Sequence, residues 1–450
     1  MKRSRRGYLV LLAVAALAIL ALAGCQRAPT EVTLGLLNAS GMAWANTVEL
    51  MQKQAEAYSA ETGNKIKVEE TLVPYANLHE KMLTEFVGKT GAYDMVSVVG
   101  DWMAEFIKGG FLQPFDDYLK KDAPEGYPAQ FPPALMEMQT GPDKKIYGLP
   151  FHDGPIMFYW RKDLIADSAN QAAFKKRFGY DLAAPKTWQQ YLDQAQFFTK
   201  KGQMWGTMVA AKQGSQQLTY DFYILLFNFG GKIFDDSWHP VFNSDQGVQA
   251  LQFYVDLIDK YKVVDPAVTT FDVPDKQAPI LEGRVAMDWD WSHISMLSAQ
   301  PDKSKVVGKL DYGTMPVLKE GMTPYTFDDY WVWTIPSSSK HKDAAYKFIK
   351  WQVSKKNDAL TYSTGQGIGV RYDNYRDPDL LAKYPYMAGI DKALSVNYFT
   401  PPKIPEFAKV NDAIGLECSN AIAGKKSVKQ ALDDAFKAVD DVMKQGGYYK

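Results

Sequence analysis

The 450-residue sequence predicts an α/β protein whose first domain is a parallel sheet covered by helices. Three observations carry that reading. Short apolar strands alternate with amphipathic helices from Thr30 onward, the order that parallel sheets with crossover helices require. The chain is long enough for two or three domains with sizeable apolar cores. Only two cysteines are present, Cys25 and Cys418, so those cores and not disulfides must supply the stability.

The elements follow in order. Lys2, Arg3, Arg5 and Arg6 precede an apolar run from Tyr8 to Ala23. That run is short of the roughly 20 apolar residues of a bilayer-spanning helix and suits a secretory leader. Leu22-Ala23-Gly24-Cys25 resembles the lipobox of a bacterial lipoprotein signal. This implies cleavage after residue 24 and a lipid on the Cys25 sulfur; an uncleaved anchor helix is the alternative, and both place the body outside the cytoplasm. Cys418 then has no partner within one mature chain, and its helical surroundings suit a buried, inert thiol.

Residues 30–37 alternate as a strand through Val32, Leu34 and Leu36. Val48, Met51, Ala55 and Tyr58 mark one helix face and Gly63 its end. Residues 66–72 form a second strand, Leu78, Met82 and Phe86 a second helix, and residues 94–99 a third strand running straight into a helix over 102–108. Strands are expected at 146–151 and 155–160, around a turn at His152-Asp153-Gly154. Thr187 and Gln190 have capping-box spacing, and Ser244-Asp245 opens a helix. Further strands cover 285–289 and 330–335, a helix runs through Ala345, Phe348 and Ile349, and an amphipathic helix closes the chain over 428–443.

Composition narrows the function. The net charge is −1 and becomes more acidic once the basic leader is removed, with no basic patch, which argues against nucleic acid. The five histidines, at 79, 152, 239, 293 and 341, share no metal-ligand spacing. No Gly-x-Ser-x-Gly elbow occurs, and Ser337-Ser-Ser-Lys340 with Lys89-Thr-Gly91 stands in the wrong order for a penicillin-binding enzyme. Paired carboxylates such as Asp288 and Asp290 leave an anchored glycosidase as a minor alternative. Aromatic residues make up 13% of the chain, eleven of them tryptophans. Ring faces stack on the C–H faces of sugars while polar side chains bind the hydroxyls.

A more specific resemblance rests on Tyr93-Asp94 through Asp101-Trp102, then Phe106 and Gly109 to Pro114. Tyr147 to Phe151, Tyr159 to Asp163, Pro185 to Trp188, Leu281 to Met287 with Trp291, Pro336 to Lys340 and Ala344 to Phe348 continue it. In their joint order these are similar to the extracellular solute-binding proteins of carbohydrate ABC transporters. The resemblance covers the whole chain after Cys25. It implies the two-lobe, maltose-binding-protein-like α/β fold, the type II periplasmic-binding-protein-like fold, with the ligand cleft between the lobes. It also implies a leader over 1–24, lobe 1 from 25–152 and 313–335, and lobe 2 from 153–312 and 336–450. The expected partners are a neutral carbohydrate, ABC permease subunits and the membrane, with the chain a monomer on the outer face of the cytoplasmic membrane, periplasmic or extracellular. No cofactor, metal, nucleic acid or catalytic residue is expected. A polyamine-type cation in a cage of carboxylates and rings is the alternative ligand, and a polysaccharide adhesin the alternative role.

Asp101 is either the N-cap of the helix after the third strand or a hydroxyl acceptor, and Trp102 beside it either core or stacking platform. Trp289 and Trp291 share one strand face, as do Trp331 and Trp333, so one ring of each pair is expected in the core. The resemblance places Trp291 where relatives stack a sugar; Asp288-Trp-Asp290 replaces their Gly-Pro and adds two hydroxyl acceptors, Asp288 and Asp290. Asp328-Asp329 stands where relatives often have glycines, just before Trp331, so these acids are expected to face ligand. Asn38 and Trp44 lie in the first loop, Asp153 at a lobe crossing, Arg371 after a glycine-rich turn, and Tyr398 where it could cap a long ligand. Trp188 is assigned to structure.

Overall fold

A computed structural model describes residues 31–40, 48–152, 154–364 and 367–449. The leader, Cys25, Trp44 and Asp153 lie outside the described residues. The chain builds two bodies, each around its own sheet.

In the first body, β1 (Val32–Ser40) buries Leu34, Leu36, Leu37 and Ala39, so both strand faces need cover. Gly35 is required within it, because a Cβ there would lie 2.2 Å from the Ala92 carbonyl oxygen. Helix α1 (Val48–Thr62) supplies cover through Met51, Ala55 and Tyr58. The parallel neighbour β2 (Ile66–Pro74) leads into α2 (Tyr75–Gly88), which buries Leu78, Met82 and Phe86. Strand β3 (Met95–Val99), parallel to β1, is wholly buried, and α3 (Gly100–Lys108) begins at the next residue. The sheet order is β2-β1-β3-β9-β4, and the last two strands come from far along the chain. β4 (Leu149–His152) and β9 (Trp331–Thr334) run antiparallel to each other, and β9 runs antiparallel to β3.

The second body departs from the expected parallel style. β5 (Ile156–Arg161) is flanked antiparallel by β6 (Met287–Trp291) and β7 (Leu310–Gly313). Around it pack α4 (Trp188–Phe198), α5 (Gln216–Asn228) and α6 (Val273–Leu281), with Trp188, Tyr223 and Trp289 in the core. Thr187 caps α4 by accepting from the Gln190 N–H at 3.2 Å, while the Gln190 side chain turns to the Lys186 N–H instead of closing the box. A two-strand ladder of β8 (Tyr325–Phe327) and β10 (Asn397–Phe399) lies beside it.

The expected lobe boundaries need two corrections. Helix α7 (Lys342–Gln352), placed with lobe 2 by the resemblance, buries Ala345, Phe348 and Ile349 in the first core. Conversely Met315 and Phe327, placed with lobe 1, pack in the second core. An amphipathic face states that a helix is covered, and only the tertiary fold selects the sheet that covers it. Helices α8 (Phe407–Ile422) and α9 (Val428–Gln445) complete the second core, with Cys418 fully buried and its thiol pKa pushed up by loss of solvent.

Candidate ligand-binding site

Strand β3 delivers the chain to the edge of the first body, and α3 starts without a loop, so Asp101 stands at the carboxyl end of a central strand. Gly100 makes the turn: a Cβ there would meet the Met138 side chain at 1.8 Å and Asp329 Oδ1 at 2.5 Å. Asp101 is not the helix cap, a position held by Val99. Its carboxylate reaches the second body, where Gln216 Nε2 donates to Oδ2 at 2.5 Å and the Tyr220 hydroxyl donates to the same oxygen. Gln216 and Tyr220 lie one turn apart on α5 and so face Asp101 together.

Asp101 Oδ1 and Asp329 Oδ1 are buried with no hydrogen-bond partner among the described residues. Loss of solvent pushes the Asp101 pKa up to about 7, against the Tyr220 hydrogen bond. Asp329 is raised well above the carboxylate range by loss of solvent and by the charge of Asp101, while the N–H groups of Gly100, Asp101 and Tyr330 oppose the rise. Buried acceptors with open lone pairs are what a ligand's hydroxyl donors need.

Aromatic rings from both bodies surround this pair. Tyr75 stacks on Trp102 with centroids 5.1 Å apart, and Trp331 meets the two edge-on at 6.0 and 6.4 Å. From the second body, Tyr220 meets Trp291 edge-on at 5.8 Å, and Phe327 closes that group at 4.6 Å from Tyr220 and 5.9 Å from Trp291. Gly154 lies between the Asp329 carbonyl oxygen and the Trp291 ring, 2.8 and 3.6 Å from where a Cβ would sit. Rings on two walls with carboxylates between them suit a molecule carrying both apolar faces and hydroxyls.

Residues 44–359 match the family described as bacterial extracellular solute-binding proteins. The chain belongs to that family. This solute-binding protein is 25% identical over 397 residues to the mannitol-binding protein of Pseudomonas aeruginosa, covering 83% of this chain and 85% of that one. It is 25% identical over 410 residues to a probable amino-acid ABC transporter periplasmic-binding protein of Sinorhizobium fredii, covering 89% and 88%. Among solved structures, a solute-binding protein of Agrobacterium radiobacter K84 in complex with ribitol superposes with a TM-score of 0.77 at 25% identity, covering 91% of this chain and 98% of that one.

Of the residues expected to line the cleft of the solute-binding protein, Asp101, Trp102, Asp329, Trp331 and Trp291 come together between the bodies. Three do not join them. Arg371 is wholly buried, with Nε and Nη2 each 2.9 Å from the Asp373 carboxylate and the Nη groups on the Val353 and Glu125 carbonyls. It ties α7's end to the first body and is corrected to a structural role. Asp290 faces inward, accepting from Gln277 Nε2 at 2.7 Å and lying 3.7 Å from Lys276 Nζ, because strand alternation turns it away from the Trp291 ring. Asn38 donates to Glu70 at 2.8 Å and accepts from the Ala39 N–H at 2.9 Å, satisfying its amide within the first sheet. Tyr398 is half-buried where the bodies meet, its hydroxyl pKa raised by loss of solvent and by Glu137 and Asp328. The sequence reading missed Tyr75, Gln216, Gln217 and Tyr220. The signal for α5 was present as Gln-Gln-x-x-Tyr at helical spacing, but nothing local says which turn of a helix reaches another body.

Proposed function

We propose that this chain is the substrate-binding lipoprotein of an ABC importer for a neutral carbohydrate: a sugar, an oligosaccharide or a sugar alcohol. The single observation that carries the ligand class is the pair of buried carboxylates with open acceptor sites, Asp101 and Asp329, enclosed by rings from both bodies. Hydroxyls of the ligand donate to Asp101 Oδ1 and Asp329 Oδ1, and its C–H faces pack on Trp102, Trp331 and Trp291. Because the contacts come from both bodies, ligand favours the arrangement in which they are closed on each other. The closed form docks on permease subunits in the membrane, and no covalent chemistry is assigned. The mannitol-binding and ribitol-bound relatives support the class.

The lipobox-like Leu22 to Cys25 supports a Cys25 lipid anchor on the outer face of the cytoplasmic membrane, with the protein acting as a monomer. A mature chain beginning after Cys25 is screened by thermal shift against sugar alcohols, sugars, oligosaccharides, amino acids and polyamines. One carbohydrate class raises the melting temperature, as ligand at 100 times its Kd adds about 2.7 kcal/mol. Trp291→Ala abolishes that shift. A response to polyamines or amino acids alone sinks the carbohydrate assignment.

A further inference from the structure

Trp291 is the half-buried ring of the second wall, and its indole edge is held from behind. Its Nε1–H donates to Gln217 Oε1 at 2.6 Å. The Gln217 Nε2 donates in turn to Asp221 Oδ1 at 2.8 Å, one helical turn further along α5. Asp221 is fixed by a full set of donors: Trp289 Nε1 at 3.0 Å and Lys276 Nζ at 3.2 Å on the same oxygen, the Ala210 N–H at 3.2 Å on the other. Lys276 Nζ is wholly buried, donates to the Trp289 carbonyl at 2.6 Å, and lies 3.8 and 3.7 Å from Asp288 and Asp290.

We infer that Gln217 is a positioning residue for the ligand-facing ring of Trp291, linking its indole edge to the buried Lys276–Asp221 pair. The amide is suited to that task and few other side chains are. It accepts from an indole, which can only donate, and donates to a carboxylate, which can only accept, so the direction of both bonds fixes the amide orientation. A buried relay satisfied at every member holds one geometry, and here the geometry held is the tilt of the stacking ring. The same turn of α5 carries Gln216 and Tyr220 on its other side against Asp101, so ring tilt and contact between the bodies are set by one rigid element.

The inference rests on the carbohydrate reading above, and the test separates the two. On the mature chain, Gln217→Met keeps the volume but removes both hydrogen-bonding groups; Gln217→Asn, which keeps the amide but shortens its reach, serves if Met does not fold. Three quantities are read: the Trp291 Nε1–H NMR resonance, assigned by Trp291→Phe; affinity for D-mannitol and ribitol by calorimetry; and the melting temperature without sugar. Expected are an upfield-moved, faster-exchanging Trp291 Nε1–H and about tenfold weaker binding, with melting changed by no more than a few degrees. An unmoved resonance, or a moved one with unchanged affinity, overturns the positioning role. Failure of the wild-type chain to bind any carbohydrate overturns the functional reading and, with it, the ring's ligand-facing role.

Discussion

A carboxyl group that titrates near 7 is a different reagent at pH 5 and pH 8, and Asp101 is such a group. In the unfolded chain it titrates near 4, as an ordinary Asp does. Between those values the folded protein holds a proton that the unfolded chain has released. The group therefore stabilises the fold fully below about pH 4, and that contribution is lost as pH rises through about 7, by up to ~1.4 kcal/mol per pH unit. The melting temperature of wild type relative to Asp101→Asn is expected to fall between pH 5 and pH 8; a constant gap contradicts it. Ligand hydroxyls donated to Oδ1 favour the charged carboxylate. Below pH 7, sugar binding is thus expected to release protons, read as a binding heat that changes with the ionisation enthalpy of the buffer.

The crossing between β4 and β5 shows how an element constrains a site. His152 ends β4, and its Nδ1 accepts from the Ile368 N–H at 3.2 Å, which requires that nitrogen to be unprotonated. Loss of solvent, with His293 nearby, lowers its pKa to about 3, so its stabilisation is present above pH 6.5 and is lost as pH falls. Between pH 6.5 and 5 this amounts to about 2 kcal/mol. His152→Asn, which keeps an acceptor, is expected to flatten acid destabilisation over that range in chemical denaturation. Two residues on, Gly154 has no room for a Cβ against the Asp329 backbone. Gly154→Ala must part Asp329 from Trp291, and calorimetry should record about tenfold weaker sugar binding with a modest loss of stability. The strands here were legible as apolar runs between turn residues, but their direction was not: β9 is a short buried strand like β3, and nothing in its sequence says that it runs antiparallel.

For the whole molecule, closure joins two surfaces whose rims each offer a lysine to a glutamate of the other. Lys108 of the first body lies 3.6 Å from Glu406 of the second, and Lys403 of the second 3.6 Å from Glu137 of the first. Such pairs at a solvent-accessible rim are each worth about 1 kcal/mol and are screened by salt. Reversing both lysines to glutamate is expected to weaken sugar binding several-fold at low salt, with the difference vanishing near 0.5 M; a salt-independent loss points instead to damage within the cleft. The sequence by itself determined the α/β alternation, the helix faces, the tryptophans and acids worth testing, and the family resemblance. Those are properties of period, residue type and order along the chain. Only the tertiary structure decided which polar side chains face the space between the bodies, separating Asp101 and Asp329 from Asp290, which turns toward Gln277 and Lys276, and from Arg371, which is buried on Asp373, and which turn of α5 faces the first body. Whether a polar group is free depends on partners brought from 115 residues away, as Gln216 is to Asp101, and such distances leave no trace in local pattern.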